Sequence, residues 1–384
     1  MKISRCANIL AVAGGLALAT AAYAQPEQWL QYHITREGRS YHWITLTTNA
    51  PSGVTLPQLG DRPYFAHWET PMDPKGRWMA FNRSRKSGPW DQVYIDTTGN
   101  GRLDDKSTVK ASGLDQISTT FDSLRFVFKG EDGPVTYHLV LRFMKYGEQD
   151  IRLLAAAGGY YSGNVTFGVK KHRIELTDAN VNGIFNDLAT HPDDCDRISL
   201  EGDKVGERYL GKLLEVDDQL YRIEVARDGA FIKVQKAEHI ELGTVRIPEG
   251  VTEFEAVGEN GHFYRKPVKG EFSLPAGKYR IHSWAIDRKD SRGENWRMSA
   301  SSFGDAANFV VAAAQPAVLT VGEPVRMAMV ASEARSEVGF SLRFQGRYHE
   351  TVSILKGTQN PRAPQLTLTS LDGAYRYTNS FEFG

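Results

Sequence analysis

Two segments of the chain place oxygen-bearing side chains at every second position before a glycine. The first reads YIDTTGNGRLDD (94–105) and the second reads LTDANVNGIFND (176–187). Alternate side chains of such a loop can point inward, and the glycine allows the sharp turn that a calcium loop needs. Because Ca²⁺ takes six to eight oxygen ligands in proteins, these residue types and this spacing predict calcium binding.

Both segments supply candidate ligands at loop positions 1, 3, 5, 7, 9 and 10. In the first loop these are Asp96, Thr98, Asn100, the carbonyl of Arg102, Asp104 and Asp105. In the second loop they are Asp178, Asn180, Asn182, the carbonyl of Ile184, Asn186 and Asp187. Each loop also has an apolar residue at position 8, Leu103 or Phe185, which we expect to pack on a core.

The pattern resembles the first half of an EF-hand or dockerin loop but departs from it at position 12. Ser107 and Ala189 stand there in place of a bidentate acidic residue. No full helix is predicted after either loop, although the sequence permits a short one over 184–190. We therefore expect strand-connecting loops with weak Ca²⁺ affinity, with a Kd on the order of 10⁻⁴–10⁻³ M. The first loop is the stronger candidate, because it has three carboxylates and the second has two. The alternative is that both Asn-Gly pairs form hairpin turns without an ion.

Residues 1–24 have the pattern of an export signal. Lys2 and Arg5 precede an apolar, alanine-rich stretch, and the sequence AYA at 22–24 is a small-x-small cleavage site. We therefore expect this signal peptide to be removed before Gln25 and the protein to be periplasmic or secreted. No later segment of the sequence is long and apolar enough to predict a transmembrane span.

The charge balance argues against one class of partner. The chain has 46 basic and 46 acidic residues, and loss of Lys2 and Arg5 with the signal peptide leaves a slight negative charge. Nucleic acid and anionic membranes are therefore not expected as main partners. Cys195 is then the single cysteine of the exported chain, so that chain has no internal disulfide. The stability of the protein has to come from core packing, helped by a metal ion if the loops bind one.

Short runs rich in Val, Ile, Thr and aromatic residues recur along the chain, broken by Gly, Asp, Asn and Pro; TYHLVLRFM (136–144) is one example. Helical periodicity is nearly absent, so the sequence predicts an all-β, multidomain protein. We divide it into a Trp-rich β domain with the first loop (25–155), a β-hairpin region with the second loop (156–246) and a C-terminal β-sandwich (247–384).

Two resemblances accompany this division. SLPAGKYRIHSWAID (273–287) resembles the LPAGxY edge of Ig-like and transthyretin-like β-sandwich modules in exported proteins. The chain as a whole is similar to a loosely defined group of uncharacterised exported bacterial proteins. The segments that carry this likeness are DQVYIDTTGNGRLDD (91–105), GGYYSGNVTFGVKKHRIELTDANVNGIFND (158–187) and FEFG (381–384). The resemblance implies export, the paired loops and the sandwich tail, and it brings no known activity.

The segment HPDDCD (191–196) combines several metal-ligand residue types just after the second loop. His191 and Cys195 are the ligands that Zn²⁺ would select. Asp193 or Asp194 could instead complete the second calcium site. The alternative is a polar loop that follows a hairpin and binds nothing.

Tryptophans cluster in the first region beside Arg, Asn and Asp. The segments that show this are YFAHWETP (64–71), GRWMAFNRS (76–84) and SGPWDQVY (87–94). Sugar-binding faces use such a mixture, because aromatic planes stack on sugar rings while polar groups fix the hydroxyls. The alternative is that these tryptophans build the core of a β domain that lacks disulfides.

No residue receives a catalytic role, since the chain has neither a Gly-x-Ser-x-Gly nor a His-Glu-x-x-His motif. We therefore predict an exported, non-catalytic binding or structural protein stabilised by Ca²⁺, whose partner would be a polysaccharide or a cell-envelope component. Two alternatives stay open. One is a carbohydrate-binding or carbohydrate-active protein that uses the Trp-rich region, and the other is a periplasmic hydrolase with a site assembled from distant residues.

Overall fold

The computed structural model describes most of the chain beyond the expected signal peptide. The described residues are 26–104, 108–130, 133–147, 149–188, 191–334 and 337–382. The signal peptide, the candidate ligand Asp105 and the position-12 residues Ser107 and Ala189 lie outside them. The described residues form β-strands, two short 3-10 helices (Pro192–Asp194 and Asp305–Ala307) and no α-helix, so the all-β prediction is confirmed.

The first part of the chain consists of strands β1 to β19. Their bounds are β1 Gln28–Trp29, β2 Gln31–Ile34, β3 His42–Ile44, β4 Leu46–Thr47, β5 Tyr64–Thr70, β6 Asp73–Asn82, β7 Gln92–Ile95, β8 Thr108–Lys110, β9 Gly113–Leu114, β10 Ser118–Lys129, β11 Pro134–Lys145, β12 Ile151–Ala157, β13 Gly159–Phe167, β14 Lys170–Thr177, β15 Arg197–Leu200, β16 Glu207–Tyr209, β17 Leu213–Val216, β18 Gln219–Val225 and β19 Phe231–Lys236. The short helix that the sequence permits over 184–190 is not formed over 184–188.

The second part consists of strands β20 to β32. Their bounds are β20 Leu242–Arg246, β21 Glu253–Gly258, β22 Gly261–Arg265, β23 Glu271–Pro275, β24 Gly277–Lys289, β25 Asn295–Ser301, β26 Asn308–Val311, β27 Ala317–Val318, β28 Arg326–Ala334, β29 Glu337–Gln345, β30 Thr351–Lys356, β31 Gln365–Thr369 and β32 Arg376–Ser380.

Strands β1 to β19 form four antiparallel sheets that follow one another along the chain. Their strand orders are β4-β5-β6-β7-β8, β3-β12-β11-β10-β9, β2-β13-β14-β15-β16 and β1-β19-β18-β17. The first four strands each lie at the edge of a different sheet, so residues 28–47 link all four. Antiparallel neighbours need only short connections, which suits the frequent Gly, Asn and Asp turns of the sequence.

Buried side chains from all four sheets join one core. Phe81 on β6, Phe143 on β11, Leu176 on β14 and Ile223 on β18 belong to it, and each is almost fully buried. The boundary expected after residue 155 falls inside β12, and this core contains residues from both sides of it. The two regions on either side of that boundary therefore share a single core.

Strands β20 to β30 form a second core between two sheets, and β31 and β32 form a separate two-stranded sheet. One sheet has the order β23-β20-β27, and the other has the order β22-β21-β24-β25-β30-β29-β28, with β26 added beside β24. Phe254 and Trp284 from the larger sheet pack with Val245 and Leu274 from the smaller one. Because β20 pairs with β23 and β27, this unit begins at Leu242, slightly before the expected start at 247.

Strand β17 belongs to both cores. Leu213 packs in the second core, whereas its neighbour Leu214 packs in the first. The Leu213 amide donates a hydrogen bond of 3.0 Å to the carbonyl of Asn260 in the β21–β22 turn. An ion pair of 2.6 Å between Glu215 and Arg265 adds a second link. Successive side chains of a strand point to opposite faces, which is how one strand serves two cores.

Candidate functional site

Both Asp/Asn loops begin immediately after a strand and return to its antiparallel neighbour. The first loop joins β7 to β8, and the second joins β14 to β15. Position 8 of each loop is buried: Leu103 is 1% exposed and Phe185 is 2% exposed. The expectation that this residue docks each loop on a core is therefore confirmed.

Backbone amides of the first loop donate hydrogen bonds to its own side chains and hold the loop in its turn conformation. The Asp96 carboxylate accepts hydrogen bonds from the amides of Gly99, Asn100 and Gly101 at 2.8–3.0 Å. The Asn100 side chain in turn accepts the Arg102 amide at 2.9 Å. These are the bonds of Asx turns, which need no ion.

The other candidate ligands of the first loop face solvent. Thr98, Asn100 and Asp104 are exposed. A cationic side chain lies beneath the loop, since the guanidinium of Arg77 is close enough to Asp96 for the two charges to interact. Arg77 itself is 2% exposed and forms an ion pair with Asp73. The loop therefore already has a positive charge beside its one buried carboxylate.

The second loop is built differently around Asp178, which is 0% exposed. Its Oδ2 accepts hydrogen bonds from the Gly183 amide at 2.7 Å and from the Tyr137 hydroxyl at 2.8 Å. Its Oδ1 accepts the Asn182 amide at 3.3 Å. Burial raises the pKa of Asp178 to about 7, although these hydrogen bonds partly oppose the rise. The folded protein thus places a carboxyl group where ionisation is costly.

The remaining side chains of the second loop converge on Asp187. The amide nitrogens of Asn180 and Asn182 donate to its Oδ2 at 2.7 Å and 2.6 Å. The side-chain oxygen of Asn180 is buried and has no hydrogen-bond partner among the described residues. Of the other two candidate ligands, Ile184 is buried and Asn186 is exposed.

Asp196 is the residue at this site that the sequence pattern misses. It is 0% exposed, and its carboxylate accepts the Asp187 amide at 2.8 Å and the Ala179 amide at 3.2 Å. Burial, reinforced by the nearby charge of Asp178, raises its pKa well above the usual value. Asp196 comes close because β15 pairs with β14 and brings its leading residue back to the start of the loop. The sequence did contain a signal for this residue: Asp196 directly precedes the strand-forming segment that follows the loop.

The HPDDCD segment does not act as a unit. Asp193 and Asp194 are exposed, and their carboxylates approach His191 at 3.8 Å and 4.0 Å rather than the loop. Cys195 is fully buried, with the Arg197 guanidinium 3.1 Å from its sulfur. Completion of the second site by Asp193 or Asp194 therefore has no contact in its favour among the described residues and stays a prediction.

The second loop also connects several sheets. Tyr137 reaches it from β11, and His42 on β3 lies 2.7 Å from the Ala179 carbonyl. The indole of Trp68 on β5 donates at 2.8 Å to the carbonyl of Val181, a residue whose φ of 59° is rare for a β-branched side chain. Such a backbone conformation persists only where its surroundings hold it. The loop is thus a junction within the first core.

Two of the five tryptophans of the first region, Trp68 and Trp90, build that core and are 4% and 5% exposed. Trp78 is half-buried against a smaller cluster, while Trp29 and Trp43 are 66% and 62% exposed. Beside Trp43 on the surface lie the guanidinium of Arg152, 5.6 Å from its ring, and the half-exposed Tyr146. The exposed aromatic surface therefore lies outside the three segments that suggested it.

Comparison with known protein families, with curated proteins and with solved structures finds no match. None of the described residues forms a helix with the length and hydropathy needed to cross a membrane. The functional interpretation therefore rests on the geometry of this chain.

A second cluster, absent from the sequence predictions, lies where the two units meet. One oxygen of Glu255 and one ring nitrogen each of His262 and His282 all lie within 4.8 Å of one another. His262 Nε2 is 2.7 Å from Glu255 Oε2, and Ser283 donates to the other carboxylate oxygen at 2.9 Å. We call these three ligand-type residues the Glu–His–His cluster. Tyr209 of β16 packs against both imidazoles.

A β-bulge brings the cluster together. Strands β21 and β24 pair Glu255 with Ser283 and Ala256 with Ile281, so His282 has no opposite residue. Ile281 and Ala256 point into the second core, whereas Glu255 and Ser283 lie on the other face. The extra residue places His282 on that same outer face. Bulges often reorient a side chain in this way near functional sites.

Proposed function

We propose that the protein is an exported, non-catalytic binding or structural protein of the cell envelope that is stabilised by Ca²⁺ at its second Asp/Asn loop. The observation that carries this proposal is the burial of Asp178 and Asp196 next to the loop, with Asp187 beside them. Ionised carboxylates gathered away from water repel one another and are costly to desolvate, and a bound cation offsets both effects.

The chemistry of the donors supports calcium over other ions. Asp178, Asp187 and the side-chain oxygens of Asn180 and Asn182 are hard oxygen ligands, which Ca²⁺ prefers. The buried Asn180 oxygen without a partner among the described residues would gain one on coordination. The expected affinity stays in the weak range, on the order of 10⁻⁴–10⁻³ M, because amides replace carboxylates at two positions.

The position of the loop supports a structural role for the ion. Side chains from β3, β5 and β11 all contact it. The Phe185 amide also donates at 2.9 Å to the Arg227 carbonyl in the β18–β19 turn. A cation bound here would stabilise the junction of these elements in the folded state only, which raises the melting temperature by mass action.

The test is a thermal melt of the full chain in EDTA and in millimolar Ca²⁺. Calcium should raise the melting temperature, and Asp178→Asn should abolish the rise. Asp96→Asn is the matched control, because it changes the same loop position where the loop is closed by its own backbone, and it should keep the rise. A wild-type melting temperature that is the same in EDTA and in Ca²⁺ would sink the calcium proposal.

Export is proposed from residues 1–24 and the site before Gln25. Expression of the full gene in a Gram-negative host, followed by osmotic release and N-terminal sequencing, tests it. A released chain that starts at Gln25 is expected. A chain retained in the cytoplasm with Met1 intact would contradict it.

Carbohydrate binding is the second candidate function, and the exposed Trp43 supports it. Trp43, Arg152 and Tyr146 present two aromatic faces and a guanidinium on one surface. Aromatic faces of this kind stack on sugar rings. Affinity electrophoresis against a polysaccharide panel tests it: Trp43→Ala should remove any retardation, and Trp29→Ala, which changes an equally exposed tryptophan on β1, should not.

A further inference from the structure

The Glu–His–His cluster carries an inference that is independent of the calcium loops. We propose that Glu255, His262 and His282 form a binding site for a divalent transition-metal ion, with Zn²⁺ as the best match. Two imidazoles and one carboxylate form a common protein ligand set for zinc and for other transition metals. They are a poor set for Ca²⁺, which prefers oxygen donors throughout.

The distances allow a single ion to contact all three groups. The three ligand atoms lie within 4.8 Å of one another. Ligand atoms placed about 2.0–2.2 Å from one zinc ion are necessarily within about 4.4 Å of each other, so small side-chain adjustments suffice. Glu255 and His262 already approach to 2.7 Å.

The cluster is sheltered and its side chains are held in place. The His262 side chain is 2% exposed, and that of Glu255 is 24% exposed. Ser283 fixes one carboxylate oxygen, and the Tyr209 ring packs edge-on against both imidazoles. Hydrogen bonds and packing of this kind orient the ligands of metal sites.

One imidazole of the cluster also has a ring nitrogen without a partner in the described part of the chain. The Nδ1 of His262 is buried and has no hydrogen-bond partner among the described residues.

The surroundings indicate what a bound ion would do. His282 lines a cavity of about 220 Å³ together with Arg280, Ser301 and Ser302. Three protein ligands leave one position of tetrahedral zinc for water or an anion. The charges of Arg197 and Arg280 act on His282 and would favour an anion there. This arrangement fits the hydrolase alternative better than any motif in the sequence does.

An ordinary Glu–His hydrogen bond is the competing explanation. It accounts for the 2.7 Å approach of Glu255 and His262 but leaves the position of His282 unexplained. The bulge in β24 places that second imidazole beside the pair, at the cost of one regular pairing position. A site for an ion explains all three groups at once.

The test measures binding of Zn²⁺ alone to the full chain that has been stripped with chelator and then dialysed. Elemental analysis should give one zinc per chain, and a competing chromophoric chelator gives the affinity. Glu255→Gln and His282→Asn should each lower that affinity at least about 100-fold, because loss of an outer-shell partner alone costs 10–100-fold. His239→Asn is the matched control: His239 is exposed with a φ of 54°, which Asn tolerates, and the affinity should not change.

A wild-type measurement guards against variants that fail to fold. Co²⁺ added to the stripped wild-type protein should give a visible absorption spectrum of low-symmetry coordination, and an excess of Zn²⁺ should remove it. Millimolar Ca²⁺ should leave the spectrum unchanged, which separates this site from the loops. Zinc bound at less than one per chain, or bound equally by wild type and His282→Asn, would overturn the proposal.

Discussion

Asp96 and Asp178 occupy the same position in two loops that read alike, yet their surroundings differ. Asp96 accepts three amides of its own loop and lies near the cationic Arg77. Asp178 is sealed from solvent and lies near the carboxylate of Asp196. Burial makes ionisation of Asp178 costly, so a bound Ca²⁺ has a buried negative charge to stabilise in the second loop.

At the residue scale we predict an unusual pH dependence in EDTA: Asp178 should make the melting temperature fall between about pH 4 and about pH 7. The folded protein holds a proton on Asp178 up to a pKa of about 7, whereas the unfolded chain releases it near pH 4. Stability is therefore greatest below the unfolded pKa and declines as pH rises to the folded one, by about 1.4 kcal/mol per unit of pKa difference. Scanning calorimetry measures it.

Two variants make this pH prediction specific. Asp178→Asn carries no ionisable group at the position, so its melting temperature should vary less over this range. Asp96→Asn should keep the decline. If the wild-type protein and Asp178→Asn show the same change in melting temperature over this range in EDTA, Asp178 ionises in the folded protein without the cost that its burial implies.

Residue spacing predicted part of the second loop and missed the rest for a physical reason. The burial of position 8 was predicted correctly, because an apolar side chain in a polar loop is stabilised by packing on a core. Asp196 was not predicted, since its approach depends on the pairing of β15 with β14 rather than on local spacing. The number of carboxylates favoured the first loop as the calcium site, whereas the contacts in the structure favour the second loop.

At the scale of elements, the bulge in β24 shows what strand patterns can reveal. Core residues alternate regularly at Tyr279 and Ile281, then continue at Trp284 and Ile286 with the opposite parity. A change of parity inside one strand means one extra residue on one face. The change was readable in YRIHSWAI, although the partners Glu255 and His262 were not, because they come from two other strands.

The β18–β19 turn gives a prediction at this scale. Gly229 has a φ of 82°, and a Cβ there would lie 2.6 Å from Tyr161 and 2.9 Å from Phe185. Gly229→Ala should therefore cost about 2–5 kcal/mol, from backbone strain plus overpacking against the second loop. Urea unfolding measures the free energy of unfolding. The calcium response should weaken too, because Phe185 belongs to that loop.

Gly202→Ala is the matched control for this substitution. Gly202 has a φ of 79°, but a Cβ there would meet no atom within 4 Å. It should bear only the backbone cost of about 1–2 kcal/mol. If both variants lose the same free energy of unfolding, the close packing of the turn against Tyr161 and Phe185 does not contribute to the cost of Gly229→Ala.

At the scale of the whole molecule, two cores are joined through β17. The all-β class follows from the recurring short apolar runs, so it was predictable. The division into units was harder to predict, because the core of residues 28–236 is assembled from four sheets, each with an edge supplied by residues 28–47. The contribution of Leu213 to the second core has no local sequence signal, since its neighbour Leu214 is equally apolar.

These neighbours give a matched pair of variants. Leu213→Ala should destabilise the second core and Leu214→Ala the first, each by about 2–5 kcal/mol. Hydrogen–deuterium exchange with mass spectrometry should show faster exchange in β20–β25 for Leu213→Ala and in β10–β14 for Leu214→Ala. Faster exchange in both cores for both variants would show instead that the two units unfold together.

The double role of β17 has a consequence for dividing this gene into fragments. A fragment that starts at Leu242 would lack the leucine that completes its core and would expose the apolar surface that Leu213 covers. A fragment that starts upstream of Leu213 would carry Leu214 and Val216 as a bare apolar face, because their partners belong to the other core. Either fragment would expose apolar residues that are buried in the full chain, so the two units are best studied by substitution within the full chain.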